Sequence, residues 1–506
     1  MAVSLVYFAI MLAEVLIQQV FAIQQVFSPN LTILPSFPTK PRLFILTDIL
    51  NEPDDSMSMV RLLLYSNEFD LQGLCATTSS SLRNATHPEA ISEIIDAYGL
   101  VVDNLNSHVH PESQFRAAAS LKELVVSGPK VYGNSALSQP ISEGASLLIQ
   151  SLKSSQDPLY VSIWGGANVL AQALRHIEQD NSAAEAAELR SRLRVYSISD
   201  QDDSGPYIRR RWSDIVYIVN IHGFIEFNSA TWAGINSADN GAANMTMVLD
   251  PWLTPNIRVG PLGAVYPLII YGMEGDSPSF MWLIQNGLSN PARPDWGGWG
   301  GRYTRITELE DILEYGTSLD NAVGLTGRHT SPQATIWRWR EAYQGDFAAR
   351  MQWSLTSNFS KVAHSPVIDV NGTRGTQPMS FQIPVNGSII LDASKSYSPD
   401  DPTNEAYLEF EWYTYLEAGI PRAAQQLNQS FLQVEALAPP RGTNGTLPVN
   451  AAGFENVQLG SKVRIVNQIP KVSVFEGIEW HVILQAKSTN GLYPLYAYRR
   501  IVVKSL

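Results

Sequence analysis

Four acidic residues lie close together near the start of the chain. The stretch 41–64 reads PRLFILTDILNEPDDSMSMVRLLL and places Asp48, Glu52, Asp54 and Asp55 in one short segment. No Lys or Arg lies between Asp48 and Asp55, so mutual repulsion opposes the joint ionisation of these carboxyl groups. A divalent cation that prefers oxygen ligands relieves this repulsion. The sequence therefore predicts a metal site, with calcium as the first candidate because no His or Cys accompanies the carboxylates.

A simpler interpretation explains the same residues. Asp and Glu side chains cap helix N-termini and interact favourably with the positive end of the helix dipole. Segment 56–64 has the apolar spacing of a helix, so Asp54 and Asp55 could serve only as acidic residues of its first turn. The local sequence leaves both interpretations open.

An alternation of strands and helices would position the acidic cluster. Segment 43–47 is apolar and β-prone, and strand-like runs alternate with helical patterns as far as residue 219. This alternation is the signature of a parallel sheet covered on both faces, in which ligands bind outside the carboxyl ends of the strands. Asp48 follows the first such strand directly. The predicted strands are 43–47, 71–78, 130–132, 159–164, 194–199, 215–219 and 267–271, and the predicted helices are 56–64, 87–98, 141–152, 167–177 and 183–193.

Two later segments place further acids after predicted strands. The stretch SDQDDSGP carries Asp200 and Asp203, which could contact sugar hydroxyls or form a solvated turn before a helix. The stretch GMEGDSPSF carries Glu274 and Asp276, and Asp276 could equally be the N-cap of the helix that follows. Both segments are predicted to lie at the same edge of the sheet as Asp48.

Aromatic residues offer candidate surfaces for a sugar ring. Trp296 and Trp299 lie in a glycine-rich segment, 286–303, which suits a loop that lays aromatic faces over a sugar; the alternative is an ordered loop pinned by buried tryptophans. Trp164 and Trp232 could share the same pocket.

The pattern of the sequence changes at about residue 363. Short alternating runs separated by turn residues replace the helical periodicity, which is typical of a β-sandwich. An apolar N-terminal stretch with small residues near its end indicates a secretory signal. The sequence therefore predicts a signal peptide (1–22), a leader loop (23–40), an α/β domain (41–362) and a β-sandwich domain (363–506).

Eight Asn-x-Ser/Thr sequons agree with secretion. The single cysteine, Cys75, excludes an intrachain disulfide and is expected to be a buried small hydrophobic residue. We therefore predict a secreted, extracellular glycoprotein. The predicted glycosylation sites are Asn30, Asn84, Asn244, Asn358, Asn371, Asn386, Asn428 and Asn444.

Composition narrows the classes of partner. The formal net charge of −13 argues against nucleic acid or an anionic membrane as the main partner. A chain of 506 residues with 45% hydrophobic content can bury large cores in two or more domains. The sequence does not indicate an oligomeric state.

Two motifs carry a resemblance to a known family. TDILNEPDD (47–55) and EGDSPSF (274–280) resemble the nucleoside hydrolase-like, cellulose-binding Sde182-type proteins, also called the DUF1593 family. The first motif also resembles the calcium signature of inosine-uridine-type nucleoside hydrolases, with two extra residues before the Asp pair. The resemblance covers most of the chain. It implies a nucleoside hydrolase-like, Rossmann-like α/β domain with a mainly parallel sheet, followed by an immunoglobulin-like β-sandwich.

The resemblance also implies a set of site residues. It makes Asp48, Asp54, Asp55 and Asp276 the carboxylate ligands of Ca²⁺ and the Ala167 carbonyl a further ligand, with Asp48 accepting the proton of an attacking water. Between residues 217 and 232 the sequence departs from the family pattern, and His222 and Glu226 are there more simply surface-loop residues than pocket residues. The candidate substrate-binding residues are Asn51, Glu52, Trp164, Asn168, Asp200, Asp203, Trp232, Glu274, Trp296 and Trp299.

The predicted function is that of a secreted calcium-dependent hydrolase of glycosyl bonds in wall or other polysaccharide-derived carbohydrate. Two alternatives stay open at this stage. One is a carbohydrate-binding protein without catalysis, and the other is a secreted nucleoside N-ribohydrolase. The expected ligand is accordingly a carbohydrate or a nucleoside.

Overall fold

The computed structural model describes residues 29–403, 407–419, 431–470, 475 and 477–505. The predicted signal peptide and the sequon at Asn428 lie outside the described residues. Segment 29–40 of the predicted leader loop contains one short 3₁₀ turn, Leu31–Ile33.

An eight-stranded sheet forms the centre of the first domain. Its strands are β1 (Arg42–Thr47), β2 (Asp70–Ala76), β3 (Val125–Ser127), β4 (Leu159–Ile163), β5 (Leu193–Ser197), β6 (Val216–Val219), β7 (Tyr303–Arg305) and β8 (Glu314–Thr317). They lie in the order β3-β2-β1-β4-β5-β6-β8-β7. All neighbours are parallel except β7 and β8, which are antiparallel. The predicted mainly parallel sheet is confirmed.

Helices cover both faces of this sheet. Alternate residues of β1 point to opposite sides, so Leu43 and Ile45 join one apolar core while Phe44 and Leu46 join another. Cys75 is buried in the second core, as expected. The helices are α1 (Asp54–Leu64), α2 (Pro88–Gly99), α3 (Val102–Asn106), α4 (Ala118–Lys122), α5 (Glu143–Lys153), α6 (Asn168–Asp180), α7 (Ala183–Ser191), α8 (Ser204–Arg211), α9 (Asp250–Asn256), α10 (Gly260–Gly263), α11 (Pro278–Met281), α12 (Ala334–Trp337) and α13 (Arg340–Trp353).

The direction of the chain reverses beside β1. The chain runs from β1 outward through β2 to β3, and then returns to the other side of β1 to form β4, β5 and β6. In open α/β sheets, ligands bind at this switch point, in the crevice outside the carboxyl ends of the strands. The residues that follow β1 and β4 therefore lie where the fold favours a binding site.

The C-terminal region contains two packed sheets. A hairpin of β9 (Asp320–Gly324) and β10 (Gly327–Ser331) precedes this region. The strands of the C-terminal region are β11 (Asp369–Val370), β12 (Thr373–Arg374), β13 (Met379–Ile383), β14 (Ser388–Asp392), β15 (Leu408–Thr414), β16 (Leu432–Ala436), β17 (Thr446–Val449), β18 (Glu455–Leu459), β19 (Lys462–Asn467), β20 (Trp480–Ser488) and β21 (Leu495–Ser505). The two larger sheets have the orders β13-β21-β20-β15-β18-β17 and β14-β19-β16, and side chains of both form one core, while β11 and β12 pair with each other in a separate two-stranded sheet.

The six-stranded sheet also packs against the first domain. Its second face contributes residues such as Tyr498 to the larger core of the α/β domain, where the Tyr498 ring lies 5.8 Å from that of Trp339. The buried Arg500 donates hydrogen bonds to the carbonyls of Leu288 and Trp296, at 2.6 and 3.0 Å. The two regions therefore share a continuous apolar interface.

Two strand predictions were wrong. The edge strand is Val125–Ser127, and 130–132 is a loop, because only the earlier residues reach the register that pairs with β2. Segment 267–271 forms no strand, and its Ile270 and Tyr271 side chains are exposed. Among the described residues, no helix is long and apolar enough to cross a membrane.

Candidate metal and substrate site

The end of β1 and the start of α1 provide the first two carboxylates, Asp48 and Asp55. Asp48 follows β1 directly and is buried. The chain then turns through Leu50, which has a positive φ of 71°, before α1 begins at Asp54. Asp55, also buried, accepts a hydrogen bond from the Thr47 hydroxyl. This tight turn brings a strand end and a helix start together, as the motif predicted.

A distant segment completes the cluster. Asp276 lies in the loop before α11 and is buried beside the start of α1. Carboxylate oxygens of Asp54, Asp55 and Asp276 lie within 4.8 Å of one another. A Cβ on Gly275 would lie 2.9 Å from an Asp54 oxygen, so this backbone approaches the cluster closely. The structure therefore brings together acids that are more than 200 residues apart.

The glycine pair after β4 allows a second close approach. A Cβ on Gly165 would lie 2.7 Å from Asp48 Oδ1, and one on Gly166 would collide with the Asp202 carboxylate and lie 2.6 Å from the Thr78 carbonyl. Glycine is required here because the backbone itself forms one wall of the acidic site. The ends of β1 and β4 thus meet at the switch point of the sheet.

Burial and mutual repulsion both disfavour ionisation of the cluster. Burial raises the pKa of Asp48 to about 6, and polar contacts from Ser79 and Asn51 counteract part of that rise. Burial, with repulsion from Glu52 and Asp48, raises the pKa of Asp54 to about 7. The pKa values of Asp55 and Asp276 are raised well above the usual range, again by burial first and by the neighbouring carboxylates second. The site is therefore electrostatically unfavourable without a cation.

These residues fit a calcium ion. Asp48 Oδ2 and Asp276 Oδ2 are buried without a hydrogen-bond partner among the described residues. No described Lys or Arg forms an ion pair with Asp48, Asp54, Asp55 or Asp276. Hard cations such as Ca²⁺ take carboxylate and carbonyl oxygens, which is the donor set present here.

Comparisons with known proteins identify the family of this chain. Residues 42–303 match the family model described as "Cellulose-binding Sde182, nucleoside hydrolase-like domain". The chain belongs to this family. Residues 388–505 match a second model, "Cellulose-binding protein Sde0182, C-terminal domain". A comparison with curated proteins found no match.

Solved structures extend the comparison with the Sde182-type chain. A nucleoside hydrolase-related hypothetical protein from Saccharophagus degradans, associated with carbohydrate metabolism, is 27% identical with a TM-score of 0.72, covering 92% of this chain and 100% of that one. The inosine-uridine preferring nucleoside hydrolase from Bacillus anthracis is 14% identical with a TM-score of 0.29, covering 58% of this chain and 90% of that one. The first similarity spans both domains, whereas the second is too low to bear on function.

The turn after β4 in this Sde182-type chain holds two predicted site residues in structural roles. Asn168 is fully buried; its side chain accepts from the Thr77 hydroxyl at 2.6 Å and donates to Thr78 and to the Val131 carbonyl, both at 2.9 Å. The Ala167 carbonyl accepts the Ala171 N–H at 3.0 Å, which leaves one lone pair for a metal. Asn168 therefore fastens the loops around the site and does not face a ligand.

The second acidic cluster contributes a different residue from those predicted. Asp200 forms an ion pair with Arg209, and Asp203 is exposed and accepts the Asn134 N–H at 2.8 Å. Asp202, between them, is buried against Gly166, and burial raises its pKa to about 7. Its Oδ2 has no hydrogen-bond partner in the described chain. In the sequence, only the acidic cluster as a whole indicated Asp202. The conformation of the turn decides which of the three acids, Asp200, Asp202 or Asp203, points inward.

Glu274 is not a substrate-binding residue in this structure. It is fully buried and forms an ion pair with Arg61 of α1; Arg61 Nη2 lies 3.2 Å from Glu274 Oε1. The Tyr266 and Ser277 hydroxyls also donate to Glu274, at 2.7 and 2.8 Å. Glu274 therefore anchors the loop that carries Asp276 to the helix that carries Asp54 and Asp55.

We expect Arg61→Met to lower the free energy of unfolding by about 3–5 kcal/mol, because it leaves the buried Glu274 carboxylate without its partner. The double variant Arg61→Met/Glu274→Met should recover part of that loss. Denaturant unfolding measures the free energy of unfolding of the single and the double variant. The surface pair Lys462–Asp392 is the control, and Lys462→Met should cost less than about 1 kcal/mol. A loss from Arg61→Met no larger than the control would contradict the anchoring role.

Only one of the four candidate tryptophans lies beside the acidic cluster. Trp232 is partly exposed, its ring would lie 2.8 Å from a Cβ on Gly275, and its indole N–H donates to Ser199 at 3.0 Å. Trp164 is buried and donates to Ser162 and Ser279 within the core. Trp296 and Trp299 are 6% and 2% exposed; the Trp296 ring packs on His481 of β20, and the Trp299 ring packs on Tyr343 of α13. The buried-loop alternative is therefore correct for Trp296 and Trp299.

The remaining candidates border the site. Asn51 and Glu52 are partly buried, and the Glu52 carboxylate raises the pKa of Asp48 and of Asp54. His222 Nε2 lies 2.6 Å from the Ser199 hydroxyl that also binds Trp232, whereas Glu226 is exposed. The loop 221–229 is thus a surface loop, as expected, but His222 attaches it to the edge of the site.

Proposed function

We propose that this protein is a calcium-dependent hydrolase that cleaves glycosyl bonds in carbohydrate. One observation carries the proposal: three carboxylates, those of Asp54, Asp55 and Asp276, converge at the switch point of the sheet, and buried oxygens of Asp276 and of the neighbouring Asp48 lack a hydrogen-bond partner among the described residues. The family description "cellulose-binding" and the carbohydrate association of the Saccharophagus degradans protein support a carbohydrate ligand.

Each residue of the site has a distinct task in this proposal. Asp48, Asp54, Asp55 and Asp276, with the Ala167 carbonyl, would hold the ion. When bound, Ca²⁺ supplies positions for sugar hydroxyls and lowers the pKa of a coordinated water. Asp48 accepts the proton of the attacking water, since it lies at the strand end beside the proposed ion and one of its buried oxygens has no hydrogen-bond partner among the described residues. The water oxygen bonds to the anomeric carbon as the bond from that carbon to the leaving oxygen breaks; the leaving oxygen keeps the bonding electron pair and takes up a proton from solvent.

The surrounding residues stabilise and position the sugar. Positive charge develops on the ring as the glycosyl bond breaks, and nearby carboxylates such as Glu52 stabilise it electrostatically. Trp232 places a partly exposed ring beside Asp54, where it can pack on the apolar face of a sugar. The glycine backbone at 165–166 closes the inner wall.

A carbohydrate-binding protein without catalysis is the second candidate. The family description names binding and no reaction, which favours this alternative. Such a protein would keep the apolar surfaces near the site but would not need Asp48 as a proton acceptor. A nucleoside substrate remains a third possibility for the same fold.

We also propose that the protein is secreted and glycosylated. The seven sequon asparagines within the described residues are all exposed, as the attachment of a glycan requires. They are Asn30, Asn84, Asn244, Asn358, Asn371, Asn386 and Asn444.

Metal analysis of the purified secreted protein tests the proposed function. We expect about one calcium per chain by mass spectrometry, in line with a single oxygen-ligand site of this type. A screen of wall glycans and nucleosides should detect hydrolysis of a glycan that stops on addition of a chelator and returns with calcium. Absence of both metal and turnover would support the binding-protein alternative.

A further inference from the structure

Two buried histidines and an aspartate connect the α/β domain to the C-terminal region. His108 follows α3, His364 lies between α13 and β11, and Asp400 lies between β14 and β15. His108 and His364 are each 1% exposed. His108 Nδ1 lies 3.2 Å from His364 Nε2, and His364 Nδ1 is hydrogen-bonded to the Asp400 carboxylate. These three side chains form a histidine bridge across the interface between the two regions.

The first histidine of the bridge is a neutral ring with one defined tautomer. Burial lowers the pKa of His108 to about 4, so this ring carries one proton at neutral pH. His108 Nε2 lies 2.6 Å from the Thr356 carbonyl, which accepts and cannot donate, so the proton is on Nε2. His108 Nδ1 is therefore an acceptor, and the proton between the two histidines belongs to His364 Nε2.

The other ring nitrogen of His364 faces an ionised acid. Asp400 Oδ2 accepts the backbone N–H of His364 at 2.9 Å and the side-chain amide of Asn490 at 2.8 Å, and such contacts favour the charged form of a carboxyl group. A carboxylate only accepts, so His364 Nδ1 carries a proton as well. With protons on both nitrogens, the His364 ring is an imidazolium ion.

The surroundings of His364 suit a cation. Its ring stacks on that of Phe359 with a centroid distance of 3.9 Å and lies 5.3 Å from the ring of Trp353. The faces of aromatic rings attract positive charge. The aromatic faces and the Asp400 carboxylate together offset the cost of burying this charge.

Other charged groups lie around the histidine bridge. A cavity of about 70 Å³ is bordered by both histidines and by Arg350, which is ion-paired with Glu68 and Asp346. A groove of about 570 Å³ is bordered by Asp400, Asp401 and the exposed Lys361. The tyrosines beside these two spaces, Tyr407, Tyr493 and Tyr496, belong to a residue type that titrates near pH 10. Histidine is the residue type here whose charge ordinarily changes near neutral pH.

We propose that the proton held by His364 makes the histidine bridge a pH-sensitive connection between the two regions, formed at neutral pH and weakened at alkaline pH. A neutral His364 has one N–H, which bonds to Asp400 or to His108 but not to both. The nitrogen without a proton then faces a lone pair of the other partner. This inference does not depend on the proposed function.

The sign of the pH dependence follows from the protons. The folded state holds a proton on His364 that an unfolded histidine loses near pH 6.5, so this contribution to stability is fully present below about pH 6.5. It is lost as rising pH removes the proton from the folded bridge. His108 acts in the opposite sense, because its lowered pKa makes its contribution full above about pH 6.5 and lost as the pH falls through 4.

Nitrogen NMR of the full-length protein labelled at histidine tests the proton positions. At pH 7 we expect two protonated ring nitrogens on His364, and on His108 a protonated Nε2 with an unprotonated Nδ1. Asp400→Asn should leave His364 with one protonated nitrogen, because the imidazolium loses its counter-ion. His108→Asn should keep both protons on His364, since the Asn oxygen replaces Nδ1 as acceptor. A wild-type His364 with one protonated nitrogen at pH 7 would overturn the proposal.

Amide hydrogen exchange tests the connection itself. After correction for the intrinsic effect of pH, exchange in segment 354–366 of the wild type should rise about tenfold or more between pH 6 and pH 9, since a hydrogen bond to a charged group contributes at least that factor. In Asp400→Asn it should be fast at both pH values. His87→Gln, which removes an exposed histidine paired with Glu89, is the control and should match the wild type. Exchange that is independent of pH in the wild type, or that rises equally in Asp400→Asn, would refute the pH-sensitive connection whether or not the protein binds calcium.

Discussion

Asp55→Asn is expected to stabilise the calcium-free protein and to abolish its stabilisation by calcium. Asn keeps an oxygen for the Thr47 hydroxyl but removes one of the charges that repel each other in the cluster. In the wild type, calcium at about 100 times its dissociation constant should add about 2.7 kcal/mol to the free energy of unfolding. The variant should show no such gain. Thermal unfolding in calcium and in chelator measures both effects, whose signs are opposite.

The pH dependence of the calcium-free protein provides a second readout of the same cluster. Because the folded-state pKa of Asp48 is raised to about 6 from 3.8, the folded state holds this proton between about pH 4 and 6 while the unfolded state has lost it. The contribution of Asp48 to the free energy of unfolding is therefore fully present below pH 4, and it is lost as the pH rises through 6. The loss from Asp48 alone is on the order of 3 kcal/mol. Calcium should remove this loss, because it binds the deprotonated carboxylates.

Asp203→Asn is the matched control for Asp55→Asn. Asp203 is an exposed acid outside the cluster, so its substitution should change neither calcium binding nor the pH dependence. If the Asp55 and Asp203 variants behave alike, the cluster is only a capping turn of α1 and the metal interpretation is wrong.

Asp48→Asn is expected to lower kcat on a glycan substrate by about 10²–10⁴, the usual contribution of a positioned general base. Asn is close to Asp in size, so the side chain still fits beside Gly165 but no longer accepts a proton. Affinity for the glycan should change much less than turnover, because Trp232 and the other carboxylates remain. Steady-state kinetics combined with calorimetry separates the two quantities.

The same variant distinguishes an enzyme from a binding protein. In the wild type, turnover should stop on addition of a chelator and return with calcium, whereas Asp48→Asn should show little turnover in either condition. Asp200→Asn, which removes one of the two acidic partners of Arg209 away from the cluster, is the control and should keep calcium-dependent turnover. Equal glycan binding by wild type and Asp48→Asn with no turnover in either would identify a carbohydrate-binding protein.

Comparison of the sequence with the structure shows what local patterns can reveal. The apolar run 43–47 and the acids after it predicted a strand end, a turn and a helix start, and the structure has all three. Local patterns failed at 267–271, whose apolar residues resemble a strand but face solvent near the site. Hydrophobicity alone cannot distinguish a buried strand from an exposed apolar loop, because both can be rich in Ile, Leu and Tyr.

By itself, the sequence determined the α/β order, the oxygen-rich chemistry of Asp48, Asp54 and Asp55, and the change to β structure in the second half. Short-range periodicity and turn residues encode these features, so they can be inferred from neighbours along the chain. Only the tertiary structure decided that Asp202 points inward and that Glu274 belongs to Arg61, 213 residues away. Which groups become partners depends on burial and pairing between distant segments, and these exist only once the sheet, helices and second domain have packed together.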